Sequence, residues 1–114
     1  MTVVTLFWEG NADEAGKKLL GLESRGHSES GRKGEDIVCA AVSTLIHALF
    51  LGLRDVAKVL VEREADASGP FISIKWPKEN SAEVELLTMT VALSLKEIAS
   101  RYAEHVSITE VYHK

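Results

Sequence analysis

The sequence predicts an α+β fold, a two-layer sandwich in which two helices pack on one face of a five-stranded sheet. Two observations carry this prediction. Short β-branched or alternating segments lie at both ends and in the middle of the chain, and two longer segments repeat apolar residues every three or four positions. Their order is ββαββαβ, with no repeat, linker or low-complexity tract between them. At 114 residues, we expect a single domain spanning 1–114.

The first two strands are predicted to form a hairpin. Thr2–Trp8 is β-branched and aromatic, and Leu19–Arg25 would return beside it. The segment Glu9–Gly16 between them is rich in glycine, asparagine and aspartate, which is typical of a turn. Gly26–Glu35 follows as a loop that contains three glycines and mixed charges.

A helical period begins at Asp36, and Gly52 is a plausible C-terminal stop for this helix. Either Asp36 or Glu35 can cap the N-terminus, which would place Cys39 in the first turn. Residues spaced three and four apart are expected to form its buried stripe: Ile37, Ala40, Ala41, Thr44, Leu45 and Ala48.

Two more strands are predicted after this helix. Val56–Val61 is a β-branched run, and Phe71–Trp76 alternates, with Ile72, Ile74 and Trp76 on one face. Asp66–Pro70 would supply the turn between them.

A second helix and a final strand complete the prediction. Asn80 with Glu83 three residues later is a reasonable helix start, and Val106–Tyr112 closes the chain as a strand. One face of the helix is expected to carry Val84, Leu87, Val91, Leu95, Ile98 and Tyr102.

Composition favours a soluble cytoplasmic protein without metal or cofactor. Hydrophobic residues make up 46% of the chain, enough for a core without disulfide or metal support, and the single cysteine suggests a reducing compartment. Met1–Trp8 lacks the features of a secretory signal, and the longest apolar run is expected to be too short to span a bilayer. A net charge of −4 argues against a general nucleic-acid binder and permits a basic protein partner.

The single thiol is a candidate nucleophile. In a first helical turn, unpaired N–H groups and the helix dipole favour the thiolate of Cys39. His47 lies eight residues further on, about 12 Å along the axis and out of hydrogen-bond reach. His105 and His113 lie near the C-terminus, where nothing local brings them to the thiol. His27 is connected to it by one loop and is the best candidate for a base.

Each of these features also has a structural interpretation. A lone cysteine in the first turn of an apolar helix, such as Cys39, is more often a small buried hydrophobe than a nucleophile. Ser43, one turn later, can hydrogen-bond within a site or back to a helix carbonyl. The charged segment Glu29–Glu35 can be a solvated loop or a lid.

A motif covers this region. Gly26-His27, then Asp36-Ile37-Val38-Cys39-Ala40, then Ser43 resembles the motif of the Prp family, the ribosomal-processing cysteine proteases also known as YsxB-like proteins. The spacing between histidine and cysteine is similar to that of the family. The segment Leu86–Tyr102 is similar to the family's second helix, and the element order agrees, so the resemblance covers essentially the whole chain.

The resemblance implies a cysteine endopeptidase with a Cys-His dyad. Family members remove an N-terminal extension from a bacterial large-subunit ribosomal protein, the twenty-seventh, and act as homodimers. By resemblance, Cys39 is the nucleophile and His27 the base. The implied supporting residues are Asp36, Ser43, Gly26 and Gly34. The implied substrate loop comprises Ser28, Glu29, Ser30, Gly31, Arg32 and Lys33.

That loop departs from the family versions, because it is more polar and more charged. In the family it is thought to order over substrate. Two other functions remain as alternatives. One is a non-catalytic ribosome-associated assembly protein with the same fold. The other is a redox-sensing thiol protein, although the chain has no second cysteine to resolve a sulfenic acid.

Overall fold

The computed structural model describes residues 1–13, 15–26, 35–66 and 70–113, with the backbone alone at 35 and 36. It confirms the α+β class and the ββαββαβ order. The elements are β1 (Thr2–Glu9), β2 (Lys18–Gly26), α1 (Glu35–Leu51), a π-helical turn (Gly52–Val56), β3 (Glu62–Asp66), β4 (Phe71–Lys75), α2 (Ala82–Arg101) and β5 (Val106–His113).

The strands form one mixed five-stranded sheet in the order β3-β4-β2-β1-β5. The predicted hairpin is confirmed, since β1 pairs antiparallel with β2, and β3 pairs antiparallel with β4. β5 runs parallel to β1, a pairing that needs a long crossover, and α2 lies in the segment that leads to β5. β3 is therefore an edge strand, paired only with β4.

One face of the sheet carries the core, and both helices pack on it. Alternation along β1 buries Val4, Leu6 and Trp8, each at most 1% exposed. In register beside Leu6 lie Leu22 and Ile74, both fully buried. Burying such a side chain contributes roughly 1.5–3 kcal/mol, so these rows specify which face the helices cover.

The buried stripe expected for α1 is wrong. Ile37 is 76% exposed, Ala40, Ala41, Thr44 and Ala48 are also exposed, and Leu45 is only half-buried. α1 is apolar or small around most of its circumference, so a spacing of three and four fits more than one stripe. Alanine side chains at 40, 41 and 48 have little area to bury, so the core face is taken by other, larger residues of the helix. They are Val38, Val42, Ile46, Leu49 and Phe50.

The expectation that no apolar run could span a bilayer also needs correction. Ile37–Val56 forms a continuous helical stretch of 20 residues with mean hydropathy 1.9, long and apolar enough to cross a membrane by those two criteria. Of this segment, 33% is buried within the fold. A core helix with one packed face meets the same criteria, and α1 packs in this way.

Gly52 does not stop the helix. The chain continues into the π-helical turn, where the Ala57 N–H donates to the Gly52 carbonyl at 2.8 Å, and it leaves the helical path at Lys58, with φ 58°. A Cβ on Gly52 would lie 2.8 Å from Leu87 Cδ2, so glycine here permits close contact between α1 and α2.

The strand predicted at Val56–Val61 is wrong, and the strand that replaces it lies at β3. Val56 is 82% and Leu60 81% exposed, and neither belongs to a strand. Every side chain of β3 is exposed, which leaves no apolar alternation in the sequence to mark it. Charged side chains are common on edge strands because they discourage pairing with other chains.

The second helix follows the prediction except at its ends. Val84, Val91 and Leu95 are buried as expected, and Leu87 and Ile98 pack against the core, whereas Tyr102 is 49% exposed. The N-cap is Ser81 rather than Asn80, since the Ser81 side chain accepts a hydrogen bond from the Val84 N–H.

Candidate active site

A pocket of about 360 Å³ lies beside the first half of α1. Helix α1 forms one wall, and the ends of β2 and β4 and the edge strand β3 form the rest. Its lining residues are Ser24, Gly26, Cys39, Ser43, His47, Arg63, Ala65, Pro70, Phe71 and Ile72.

Cys39 is a free, half-buried thiol at one end of this pocket. It is the fifth residue of α1, so it begins the second turn and not the first. Glu35 and Asp36 both lie within the helix, which means that neither occupies the capping position. The unpaired backbone N–H groups therefore lie about one turn before the thiol, toward the same end of the pocket.

Gly26 lies against the thiol from the opposite wall. A Cβ on Gly26 would stand 3.8 Å from Cys39 Sγ and 3.7 Å from Pro70 Cβ, which are ordinary contact distances. The Gly26 N–H donates to the Pro70 carbonyl at 2.9 Å, so the end of β2 is held beside β4. His27 follows Gly26 directly in the chain.

Several predicted site residues fall outside the described part of the chain. These are His27, the whole of the predicted substrate loop Ser28–Lys33, and Gly34. Asp36 is placed only as backbone in the first turn of α1. Of the remaining predicted site residues, the structure brings Gly26, Cys39 and Ser43 together in one pocket.

Ser43 and His47 continue the pocket wall along α1, one turn and two turns after Cys39. Both side chains are exposed. The two hydrogen bonds considered for Ser43 are not found, because its hydroxyl bonds to no other residue that the structure describes. It therefore faces the pocket with its hydrogen-bonding capacity available to a ligand.

His47 was excluded as the base because of its distance from Cys39, but its position in the pocket was not predicted. His47 lies two turns from Cys39 along the helix axis, and no hydrogen bond joins these two side chains. Even so, both line the same pocket. The His47 ring lies 6.3 Å from the Phe50 ring, centroid to centroid. Its place on the wall leaves it accessible from the pocket.

Arg63 is the pocket residue that the sequence argument missed. It lies on β3, opposite Ile74 of β4, on the helix-covered side of the sheet. Its guanidinium carbon is 5.5 Å from the centroid of the Phe50 ring. Arg63 lies between the predicted strand Val56–Val61 and the predicted turn Asp66–Pro70, and the exposed segment Glu62–Asp66 has no apolar alternation that could have placed it in a strand.

The other two histidines lie away from the thiol. His105 borders an apolar cleft between α1 and α2, with Ile37 and Tyr102. His113 borders a pocket on the opposite face of the sheet. Within the described ranges, no group of three or more His, Cys, Asp or Glu side chains is placed to hold a metal ion.

The sequence of this chain is similar to sequences of known proteins. The model of the family described as "Cysteine protease Prp" matches residues 9–107. The chain is 26% identical to the ribosomal processing cysteine protease Prp of Staphylococcus aureus over 91 residues, covering 80% of this chain and 86% of that protein. It is 32% identical to the Mycoplasma genitalium protein of the same name over 89 residues, covering 78% and 86%.

Two solved structures share the fold. SMU.848 from Streptococcus mutans superposes with a TM-score of 0.84 at 28% identity, covering 99% of both chains. The essential ribosomal processing protease Prp from S. aureus, in complex with a substrate peptide, superposes with a TM-score of 0.77 at 22% identity. That match covers 95% of this chain and 99% of the other.

Proposed function

This chain belongs to the Prp family of cysteine proteases, and from that premise we propose that it is a cysteine endopeptidase with Cys39 as nucleophile and His27 as base. The observation that carries the proposal is the free thiol of Cys39 at the end of an open pocket. A thiol that served only as a core hydrophobe would not line a cleft of peptide-binding size.

The position of Gly26 supports the proposed pair. Consecutive Cα atoms are about 3.8 Å apart, so His27 is the direct neighbour of a position where an added Cβ would lie 3.8 Å from Cys39 Sγ. The proposal is that the imidazole of His27 reaches the sulfur of Cys39 from this position. Gly26 also leaves room for this approach, since it places no side chain between the strand end and the thiol.

The proposed reaction has two halves. His27 takes the proton of Cys39, the thiolate forms a bond to the scissile carbonyl carbon, and the carbonyl electrons move onto its oxygen. As the C–N bond breaks, His27 returns the proton to the leaving amine. Water then attacks the thioester while His27 accepts one of its protons. The C–S bond breaks, the thiolate takes that proton back from His27, and the product leaves as a carboxylic acid that loses its proton to solvent.

The N-terminal end of α1 would stabilise the oxyanion. Its first-turn N–H groups have no intrahelical partners and lie on the Cys39 side of the pocket. Ser43 would act as a supporting hydrogen-bond donor or acceptor to the bound peptide, because its hydroxyl faces the pocket. Asp36, Gly34 and the loop 28–33 keep the supporting and substrate-binding roles that the family resemblance implies.

The proposed substrate is the precursor of the twenty-seventh large-subunit ribosomal protein, from which the enzyme would remove an N-terminal extension. The names of the S. aureus and M. genitalium relatives support ribosomal processing as the general role. A cytoplasmic location, a homodimeric state and cofactor-free catalysis belong to the same proposal. A reducing cytoplasm would keep Cys39 in the thiol form that the reaction needs.

The test is cleavage of the extended ribosomal protein from the same organism, with the new N-terminus read by mass spectrometry. We expect one specific cut with the natural chain and none with Cys39→Ala or His27→Ala. The matched control is His105→Ala, a histidine on the other side of α1 that should leave cleavage unchanged. An uncut precursor, with both proteins folded, would instead favour the non-catalytic assembly protein.

A further inference from the structure

The end of the pocket away from Cys39 differs chemically from the end that holds the thiol. There, His47 on α1 and Arg63 on β3 line the same space. The floor beneath them is apolar and includes Ile72 of β4. This combination provides hydrogen-bond donors and a permanent positive charge above an apolar surface.

The charge of Arg63 is not neutralised by a neighbour. The side chain is exposed, and it forms no ion pair with any residue in the described ranges. Its closest aromatic contact is Phe50, which it shares with Arg54, a second cation. Arg54 in turn pairs with Asp55 at 2.8 Å, so of these two arginines only Arg63 is left to bind an external anion.

Acidic side chains of the same strand face the other way. Side chains alternate along β3, so Glu62 and Glu64 point away from the face that carries Arg63. Glu64 borders a pocket on the opposite side of the sheet. Among the described residues that line the Cys39 pocket, none is acidic.

We propose that Arg63 and His47 form a subsite that binds an acidic side chain of the substrate peptide. The guanidinium would pair with the carboxylate, and an imidazole N–H would donate a second hydrogen bond. Ser43, midway along the wall, would contact the intervening peptide. This inference rests on the proposed peptidase function, and it names Arg63 and His47 as specificity-determining residues for that reaction.

Geometry sets where in the substrate the acidic residue lies. His47 is eight residues beyond Cys39 on α1, about 12 Å along the axis. An extended peptide advances about 3.3 Å per residue, so this span corresponds to three or four residues from the scissile bond. Substrates with Asp or Glu at that distance should bind better than those with Asn or Gln.

The test uses bromoacetyl peptides that alkylate Cys39 and carry a terminal Glu or Gln after zero to three glycine spacers. The rate of Cys39 labelling, read by intact-protein mass spectrometry, reports binding without any need for hydrolysis. We expect the Glu reagent to label about fivefold faster than its Gln counterpart at the two- or three-glycine spacing, and equally at the shortest. Arg63→Gln should remove this difference.

A matched control and a charge reversal make the test specific. Arg54→Gln removes the neighbouring arginine that contacts the same Phe50 ring outside the pocket, and it should keep the preference. Arg63→Glu should reverse it in favour of a Lys reagent. Because Arg63 is exposed, these variants should fold, which thermal unfolding checks. His47→Ala should reduce the preference without abolishing labelling.

The outcomes separate this inference from the proposed function. Equal labelling by Glu and Gln reagents at every spacing, or a preference unchanged in Arg63→Gln, overturns the acidic subsite. Failure of all reagents to label folded protein overturns it as well, because the pocket would then be closed to peptides. Charge preference without cleavage of the ribosomal precursor would support the subsite and contradict the peptidase.

Discussion

The core-facing and pocket-facing sides of α1 use the same spacing for different purposes. Val42 and Ile46, four residues apart, are fully buried against the sheet and α2. Cys39, Ser43 and His47 are also four apart, but they line an open pocket. The helix is thus held by one side and presents its chemistry on another, so changes on the two sides should separate stability from activity.

The largest expected effect on stability is on the core side. Ile46→Ala removes a fully buried side chain, and the lost transfer energy plus the cavity should cost about 2–5 kcal/mol of the free energy of unfolding. Urea denaturation measures it. Ile37→Ala, on the same helix but 76% exposed, is the matched control and should change stability by less than about 0.5 kcal/mol. Equal losses for the two would contradict the observed orientation of α1.

Ser43→Ala, on the pocket side, should lower activity and leave stability unchanged. The hydroxyl has no partner among the residues that the structure describes, so its loss should leave the unfolding free energy within about 0.5 kcal/mol of the natural value. If the hydroxyl bonds to the peptide, kcat/KM should fall roughly three- to tenfold. Steady-state kinetics on a precursor peptide measures this. Unchanged kinetics would remove Ser43 from the site.

A smaller effect on stability is expected at Glu110 on β5, which lies on neither the core-facing nor the pocket-facing side of α1. Partial burial raises the pKa of Glu110, but hydrogen bonds from Lys96 and Tyr112, the Lys96 charge and a bond from Trp8 together outweigh it, so the pKa lies below its usual value. The Lys96 Nζ atom is 2.6 Å from Glu110 Oε1. A lowered pKa in the folded state stabilises the protein above the unfolded-state value, near 4.3, and this contribution is lost as pH falls through the folded-state value.

Glu110→Gln should therefore cost up to about 1 kcal/mol at pH 7, and the difference from the natural protein should disappear in acid below the folded-state pKa. A series of denaturation experiments from pH 7 into increasingly acidic solution measures both. Activity at pH 7 should not change, since Glu110 does not line the Cys39 pocket. A difference in stability that persists in acid would show that packing, and not charge, is responsible.

The smallest effect is expected at Thr44, one residue beyond Ser43 and outside the pocket. Its hydroxyl donates to the Ala40 carbonyl at 2.7 Å on an exposed part of the helix. Thr44→Ala exchanges that bond for a higher helix propensity, so stability should change by no more than a few tenths of a kcal/mol and kcat/KM should be unaffected. A loss of activity here as large as that of Ser43→Ala would show that the pocket wall is wider than described.

The sequence predicted the secondary structure correctly where its local hydrophobic pattern agrees with the tertiary packing. Alternation in Thr2–Trp8 and the period of α2 follow directly from which face is buried. The predictions were wrong where the hydrophobic pattern of the sequence is ambiguous or absent. The α1 sequence is apolar on several sides, and only tertiary packing selects Val42 and Ile46 over Ala41 and Thr44. β3 is exposed and charged, so its sequence has no local hydrophobic pattern that predicts a strand.

The candidate site shows the same division. Cys39, Ser43 and Gly26 were predicted from motif and spacing, and they share one pocket. Arg63 was missed because its place depends on the pairing of β3 with β4, a long-range feature that spacing cannot reveal. His47 was set aside on its distance from the thiol, which concerns proton transfer and not substrate contact.

The most direct test of the central claim is to trap the acyl-enzyme. The protein is mixed with the precursor's N-terminal peptide, quenched in acid within seconds, and examined by mass spectrometry for a thioester on Cys39. The proposed roles of Cys39 and His27 lead us to expect an adduct equal to the N-terminal fragment. This assignment implies that the adduct forms much more slowly in His27→Ala and still forms in His47→Ala. Cleavage without any adduct on Cys39, or turnover abolished by His47→Ala and retained by His27→Ala, would contradict it.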